Sequence, residues 1–221
     1  VKRIAIIGLG NFGYYLGREL TRQGFDVLGL DIRKDAVQHA KNDIAVAATA
    51  DATQKENLLD LGVTEADVAV VTIGTNMLAS ILTTFLLKEI GVRNVYAKAL
   101  SEEHERILRR VGADQILFPE KDLALSLARR LANPNMLEYL PFIGDHGIFE
   151  VEAPPPFEGK TLRELDLINR FGTQVLAVRQ AHSGTPIFIP KADFVVQPRD
   201  VLVLLAPNKA MEQLNKVART G

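Results

Sequence analysis

Cysteine is absent from the 221 residues, and neither charge predominates. Without cysteine there can be no disulfide, no thiolate nucleophile and no zinc site built on thiolates, and a reducing compartment is permitted. The 26 basic and 27 acidic residues leave a net charge of -1, which argues against a chain that grips nucleic acid or an anionic membrane. Long hydrophobic runs are missing as well. The best candidate, Met77 to Leu87, falls short of the ~20 residues needed to span a bilayer and ends at Lys88-Glu89, so it reads as a buried helix. The first apolar stretch is cut by glycines and lacks the small-residue cleavage region of a secretory signal. The expectation is a soluble, cytoplasmic chain with no nucleic-acid partner and no direct membrane insertion. Histidine is scarce too: His39 and His104 fall in predicted helices with charged neighbours, and His146 and His182 in turn-like stretches. None has metal-ligand spacing to a second histidine or a carboxylate pair, so all four read as solvated and no metal is assigned.

What is present is a regular alternation. Runs rich in Val, Ile and Ala near 3–7, 26–31, 44–48, 67–73, 94–99 and 115–118 alternate with helical patterns. That is the pattern of a Rossmann-type, doubly wound parallel sheet in an α/β fold, whose strands are buried on both faces and need not alternate in polarity. Phe12, Leu16 and Leu20 recur every four residues and predict an apolar stripe against the sheet, ended by Gly24. Thr53 with Glu56 reads as a capping box, and Ser101 before Glu102 and Glu103 as a helix start.

Beyond the helical "EKDLALSLARRLANPN" the grammar changes: "PNMLEYLPFIGDHG" carries two prolines and two glycines and reads as a connection. Short strands and turns come next, with a capping box at Thr161 to Glu164 and a closing helix, "NKAMEQLNKVA". The expected organisation is a nucleotide-binding domain over 1–133, a linker over 134–147 and a second, smaller α+β domain over 148–221.

The stretch "GLGNFG", Gly8 to Gly13, has the context that gives such a motif meaning: a strand before it, an amphipathic helix after it and an acid ending the next strand. Gly8 permits the tight turn, Gly10 lets backbone amides approach a pyrophosphate, and Gly13 allows close packing of helix and strand. Asn11 and Phe12, between the glycines, belong to the same candidate set. The helix start supplies partial positive charge to phosphates. Asp31 is placed to accept ribose hydroxyls and to repel a 2′-phosphate, favouring NAD or plain adenine nucleotides, although Arg33 weakens that exclusion. Lys98 ends the fifth strand, where ligands of open α/β sheets sit, and Glu120 comes after the sixth. Lys98 could contact phosphates or serve a dehydrogenase as acid or base, so an NAD-dependent dehydrogenase stays open beside a non-catalytic nucleotide binder; the small second domain offers no constellation to complete the enzyme.

Six stretches then carry a resemblance: "IAIIGLGNFG", "DATQKENLLDLGV", "ADVAVVTIGTN", "VYAKAL", "VGADQILFPEKDLA" and the C-terminal "GKTLRELDL", "GTQVLAVRQ" and "QPRDVLVLLAP" taken together. Over nearly its whole length the chain resembles the regulatory subunits of bacterial Trk/Ktr potassium uptake systems, built from an RCK N-terminal (TrkA-N) and an RCK C-terminal (TrkA-C) domain. The resemblance implies a homodimer assembling into an octameric ring beneath a membrane potassium transporter subunit. The ring is cytoplasmic, peripheral to the inner membrane through that partner, and switched by ATP, ADP, NADH or NAD without catalysis.

Residue by residue, it implies that Gly8, Gly10 and Gly13 hold the phosphates and Asp31 the ribose. Asp51 and Ala52 lie beside the adenine, Gly74 and Asn76 border the phosphate crevice, and Lys98 approaches the phosphates. Glu120 corresponds to an acid at the dimer interface, associated with cation binding in some members. In the second domain it implies a cyclic di-AMP site, for which Arg170, Phe171, Ile187 and Pro190 are candidates. One position departs from the pattern: ATP-responsive members carry Arg where this chain has Asn11, which has neither the charge nor the reach. The expectation is weaker discrimination of ATP over ADP, or a nicotinamide dinucleotide as ligand. Leu78, Ile81, Leu82, Phe85 and Leu86 give their helix more apolar width than one sheet contact needs, and form the candidate assembly surface. A free-standing sensor for another partner is the remaining alternative.

Overall fold

The computed structural model describes residues 2–132 and 136–219. The chain divides into two compact units, residues 1–120 and 121–221.

In the first, strands and helices alternate: β1 (Arg3–Ile7), α1 (Asn11–Arg22), β2 (Asp26–Asp31), α2 (Lys34–Ala40), β3 (Val46–Thr49), α3 (Lys55–Asp60), β4 (Val68–Val71), α4 (Met77–Glu89), β5 (Asn94–Lys98), α5 (Glu102–Arg110), β6 (Gln115–Leu117) and the start of α6 (Pro119–Ala132). The strands pair in parallel in the order β3-β2-β1-β4-β5-β6. Successive side chains of a strand point to opposite faces, and both faces here are covered. Ala5 and Ile7 of β1 pack in one core cluster with Leu30 and Val71, while Ile4 and Ile6 pack in a second with Val27 and Val70. The strand order reverses between β1 and β4, and such a reversal opens a crevice beyond the carboxyl ends of the strands.

The helices refine the sequence reading. Leu16 and Leu20 of α1 do pack against the sheet, but the deepest positions are Gly13 and Gly17. A Cβ on Gly17 would stand 2.6 Å from Ile44 Cδ1, so the helix owes its close approach to having no side chain there. Phe12 is not part of that stripe; its ring lies on the side of Lys98. The expected Thr53 cap does not form. Asp51 captures both the Thr53 amide (2.9 Å) and hydroxyl (2.7 Å), and α3 begins after Gln54 without a side-chain cap. These bonds hold the Asp51 carboxyl below its ordinary range. Ser101 does cap α5, accepting from His104 N at 3.1 Å. His104 itself is buried rather than solvated, because α5 turns His104 and Leu108 inward together. Its Nδ1 accepts from Leu100 N at 3.2 Å, and burial pushes its pKa down, so the ring is held neutral.

The second unit contains the rest of α6, β7 (Met136–Pro141), β8 (His146–Glu152), α7 (Leu162–Leu165), α8 (Leu167–Phe171), β9 (Gln174–Arg179), β10 (Pro186–Phe188), β11 (Val201–Pro207) and α9 (Asn208–Arg219). Its sheet is antiparallel in the order β10-β9-β11-β8-β7. Met136, Phe149, Val178, Leu202 and Leu204 form its core with Ala210, Met211 and Leu214 of α9. The Thr161–Glu164 capping box is formed in both directions. The division falls at 120/121 rather than near 133, and the stretch expected as a linker over 134–147 is largely a hairpin, with β7 pairing β8 from Met136 to Pro141. Its proline ends the strand and Gly144, at φ 62°, makes the turn, so the composition marks a tight reversal. Positions 133–135 lie outside the described residues. Among the described residues no helix is long and apolar enough to cross a membrane.

Candidate functional site

The crevice is lined by the segments that leave the carboxyl ends of the first sheet's strands. After β1 comes the glycine turn. Gly8 has φ 105°, a conformation open to glycine, and its N–H donates to Leu30 O at 2.7 Å, tying the turn to β2. A Cβ on Gly13 would overlap the Gly8 carbonyl oxygen and stand 2.6 Å from Thr72 Oγ1. The polypeptide itself therefore demands glycine at both positions. Gly10 is different: its φ of -68° suits any residue, and a Cβ there would meet nothing within 4 Å. The space in front of Gly10 is open, so a ligand can approach the backbone there unhindered, as a closely approaching pyrophosphate requires.

The start of α1 matches that chemistry. Its N-terminal amides have no intrahelical partner and carry partial positive charge. Alone of α1 to α5, it has neither a capping side chain nor an acid in its first turn. Asn11, its first residue, is exposed. The turn is braced from two sides. Asp31, at the end of β2, accepts from Leu9 N at 2.7 Å through Oδ2 and from Arg33 N at 2.8 Å through Oδ1. Thr72, just beyond β4, donates to Gly8 O at 2.5 Å. Sequence reasoning passed over Thr72; its signal was a hydroxyl directly after the apolar run of β4. The Arg33 guanidinium is exposed and lies 3.4 Å from Asp31.

The other expected residues divide. Asp51 is occupied by its own turn, and Ala52 is buried in the core with Leu58. Asn76 caps α4 by accepting from Ala79 N at 3.0 Å. Gly74 and Lys98 come together: a Cβ on Gly74 would stand 3.9 Å from Lys98 Nζ. That ammonium also lies 5.9 Å from the Phe12 ring centroid and 2.5 Å from Glu120 Oε1. Lys98 holds the Glu120 carboxyl below its ordinary range. Gly8 to Gly13, Asp31, Gly74, Lys98 and Glu120 thus stand around one sheet edge. In the second unit, Arg170 and Phe171 end α8, where the guanidinium lies 4.9 Å from the Phe171 ring and donates to Leu165 O. Ile187 lies in β10, an edge strand, and Pro190 just beyond it. No group of three or more His, Asp or Glu suited to a metal occurs among the described residues.

A parallel sheet reversing at β1/β4, with this glycine turn and an acid ending β2, defines a Rossmann-type nucleotide-binding unit, joined here to a smaller antiparallel α+β unit. The TrkA-N domain model matches residues 4–119 and the TrkA-C domain model residues 147–219, and the chain belongs to this family. It is 34% identical over 212 residues to the Ktr system potassium uptake protein A of Bacillus subtilis strain 168, covering 96% of this chain and 95% of that protein. Among solved structures it shares its fold with the GsuK RCK domain, at a TM-score of 0.57 and 22% identity, over 100% of this chain and 47% of that one. The GsuK channel bound to NAD superposes at a TM-score of 0.56 and 20% identity, over 100% of this chain and 39% of that one. The chain therefore spans less than half of either GsuK chain.

Proposed function

We propose that the chain is a non-catalytic nucleotide sensor: it binds an adenine nucleotide or NAD(H) between the Gly8–Gly13 turn and Asp31 and regulates a membrane potassium transporter subunit. The observation that carries this is Gly10, whose missing side chain serves no packing within the polypeptide and leaves the uncapped start of α1 open to a close approach. Kinship with Ktr potassium uptake proteins supports the transporter as partner, and the GsuK channel bound to NAD supports the ligand class. The output is mechanical. A ligand shifts an assembly only by the difference between its affinities for two states, so two nucleotides can share one crevice and drive opposite outcomes.

The sensor works as a homodimer built into an octameric ring, held in the cytoplasm at the inner membrane by its partner. The face proposed for assembly is the outer side of α4. Its hydroxyl residues Ser80, Thr83 and Thr84 are fully buried against the sheet, while Leu78, Leu82 and Phe85 face outward. Of the five residues expected there, Leu86 belongs to the core and Ile81 packs against it. In the second unit, Ile189 has φ 49°, an uncommon conformation for a β-branched residue, between Phe188 and Pro190. A cyclic di-AMP site at Arg170, Phe171, Ile187 and Pro190 is proposed from the family resemblance alone.

Asn11 sets the preference in the first unit. An asparagine offers no charge to a terminal phosphate, so calorimetric titration is expected to give ADP or NAD(H) affinities at least equal to that for ATP. Asn11→Arg is expected to raise ATP affinity about tenfold through a charge-assisted hydrogen bond. A strong preference of the unaltered chain for ATP overturns this reading, and turnover of NADH with a substrate restores the dehydrogenase.

A further inference from the structure

Lys98 and Glu120 are brought together from the ends of two strands that are neighbours in the sheet. The Lys98 side chain is nearly enclosed, 11% exposed, while Glu120, in the first turn of α6, is 62% exposed. Phe12 and Gly74 bound the ammonium on the side of the glycine turn. Any phosphate drawn to the start of α1 and onward to Lys98 therefore brings its charge up to the Glu120 carboxylate. Two anions at one ammonium repel, and in the partly enclosed site that repulsion is less screened than in water. Glu120 is the exposed member of the pair and is the one free to leave.

We propose that Glu120 is a positioning residue that competes with the nucleotide: its carboxylate occupies Lys98 until a phosphate displaces it, so that phosphate binding is coupled to release of the first turn of α6. Resting on the nucleotide reading of the crevice, the inference assigns Glu120 an effect opposite to that of a group assisting phosphate binding. The phosphate loses affinity by the strength of the ion pair it must break. Release acts on α6, the helix through which the chain passes into its second unit.

The test is calorimetric binding of ADP and of adenosine to the full chain, in chelator so that no divalent cation bridges the anions, for the unaltered protein and for Glu120→Gln. The expected result is ADP affinity raised about threefold or more, within the range for partly exposed pairs, with adenosine affinity unchanged. In a Lys98→Met background the same substitution is expected to have no effect. Glu120→Ala provides a second variant, and the melting temperature of each confirms folding. Equal or weaker ADP binding by both Glu120 variants overturns the proposal and leaves the site standing, as does an equal gain for adenosine. Absence of nucleotide binding by every protein overturns the site reading, and the inference with it.

Discussion

Gly10→Ala is expected to fold with an unchanged melting temperature and to bind adenine nucleotides at least about tenfold more weakly, a loss of about 1.4 kcal/mol or more. This expectation rests on the contrast between two glycines three residues apart. At Gly10 the backbone suits alanine and the new methyl touches no protein atom, so the native state loses nothing. The methyl stands instead where the pyrophosphate must approach the amides of α1. At Gly13 the same substitution drives a methyl into the Gly8 carbonyl and toward Thr72 Oγ1, both held by hydrogen bonds. Overpacking of this kind costs about 3 kcal/mol, and Gly13→Ala is expected to melt about 10 °C lower. Thermal melts and ADP titrations of the two variants side by side check the contrast. Equal loss of stability in both would show that the turn needs glycine at Gly10 for its own sake.

The second large effect concerns assembly. The double substitution Leu78→Asp, Phe85→Asp is expected to reduce the native mass to that of a smaller species, a monomer or a single dimer, without lowering the melting temperature. Leu78 is 74% exposed and Phe85 49% exposed, so neither contributes to the core of its own unit. The buried face of α4 holds Leu86 and Leu87 together with three hydroxyl residues; Thr84 donates to Ser80 O at 2.8 Å, while Ser80 Oγ and Thr83 Oγ1 find no partner among the described residues. A helix that buries leucines and hydroxyls on one side and still presents Leu78, Leu82 and Phe85 on the other is shaped for a second surface. A charge placed in a buried interface core is strongly unfavourable, which makes the effect large. Light scattering coupled to size exclusion reads it directly. An unchanged mass, or a monomeric unaltered protein at micromolar concentration, counts against the ring.

How legible the molecule was depends on how local each signal is. The six parallel strands were readable because each is a short apolar run, and the glycine turn because its partners lie within one strand-turn-helix unit. Asp31 was readable as the residue ending β2, although its bonds to Leu9 and Arg33 were not. The pairing of Lys98 with Glu120 was hidden because it joins the end of β5 to the first turn of α6, groups that only the pairing of β5 with β6 brings side by side. The edge strand β7 was hidden for a different reason: Pro141 at its end and Gly144 in the turn suggest a loop, and they outweigh the apolar positions that pair it with its neighbour β8. Thr53 misled because Asp51, two residues earlier, offers the stronger acceptor for the same groups. In α4 the apolar width was visible, but its meaning depended on which way Ser80, Thr83 and Thr84 turned.

The central claim, a nucleotide held on the glycine turn at the β1/β4 reversal, is tested most directly by amide hydrogen exchange of the full chain with and without saturating ADP. The account predicts slowed exchange in Gly8 to Gly13 and in Asp31 to Lys34, the two segments tied through Leu9 and Asp31. Unchanged exchange in both segments, at a concentration where titration shows ADP bound, would place the nucleotide elsewhere and contradict it.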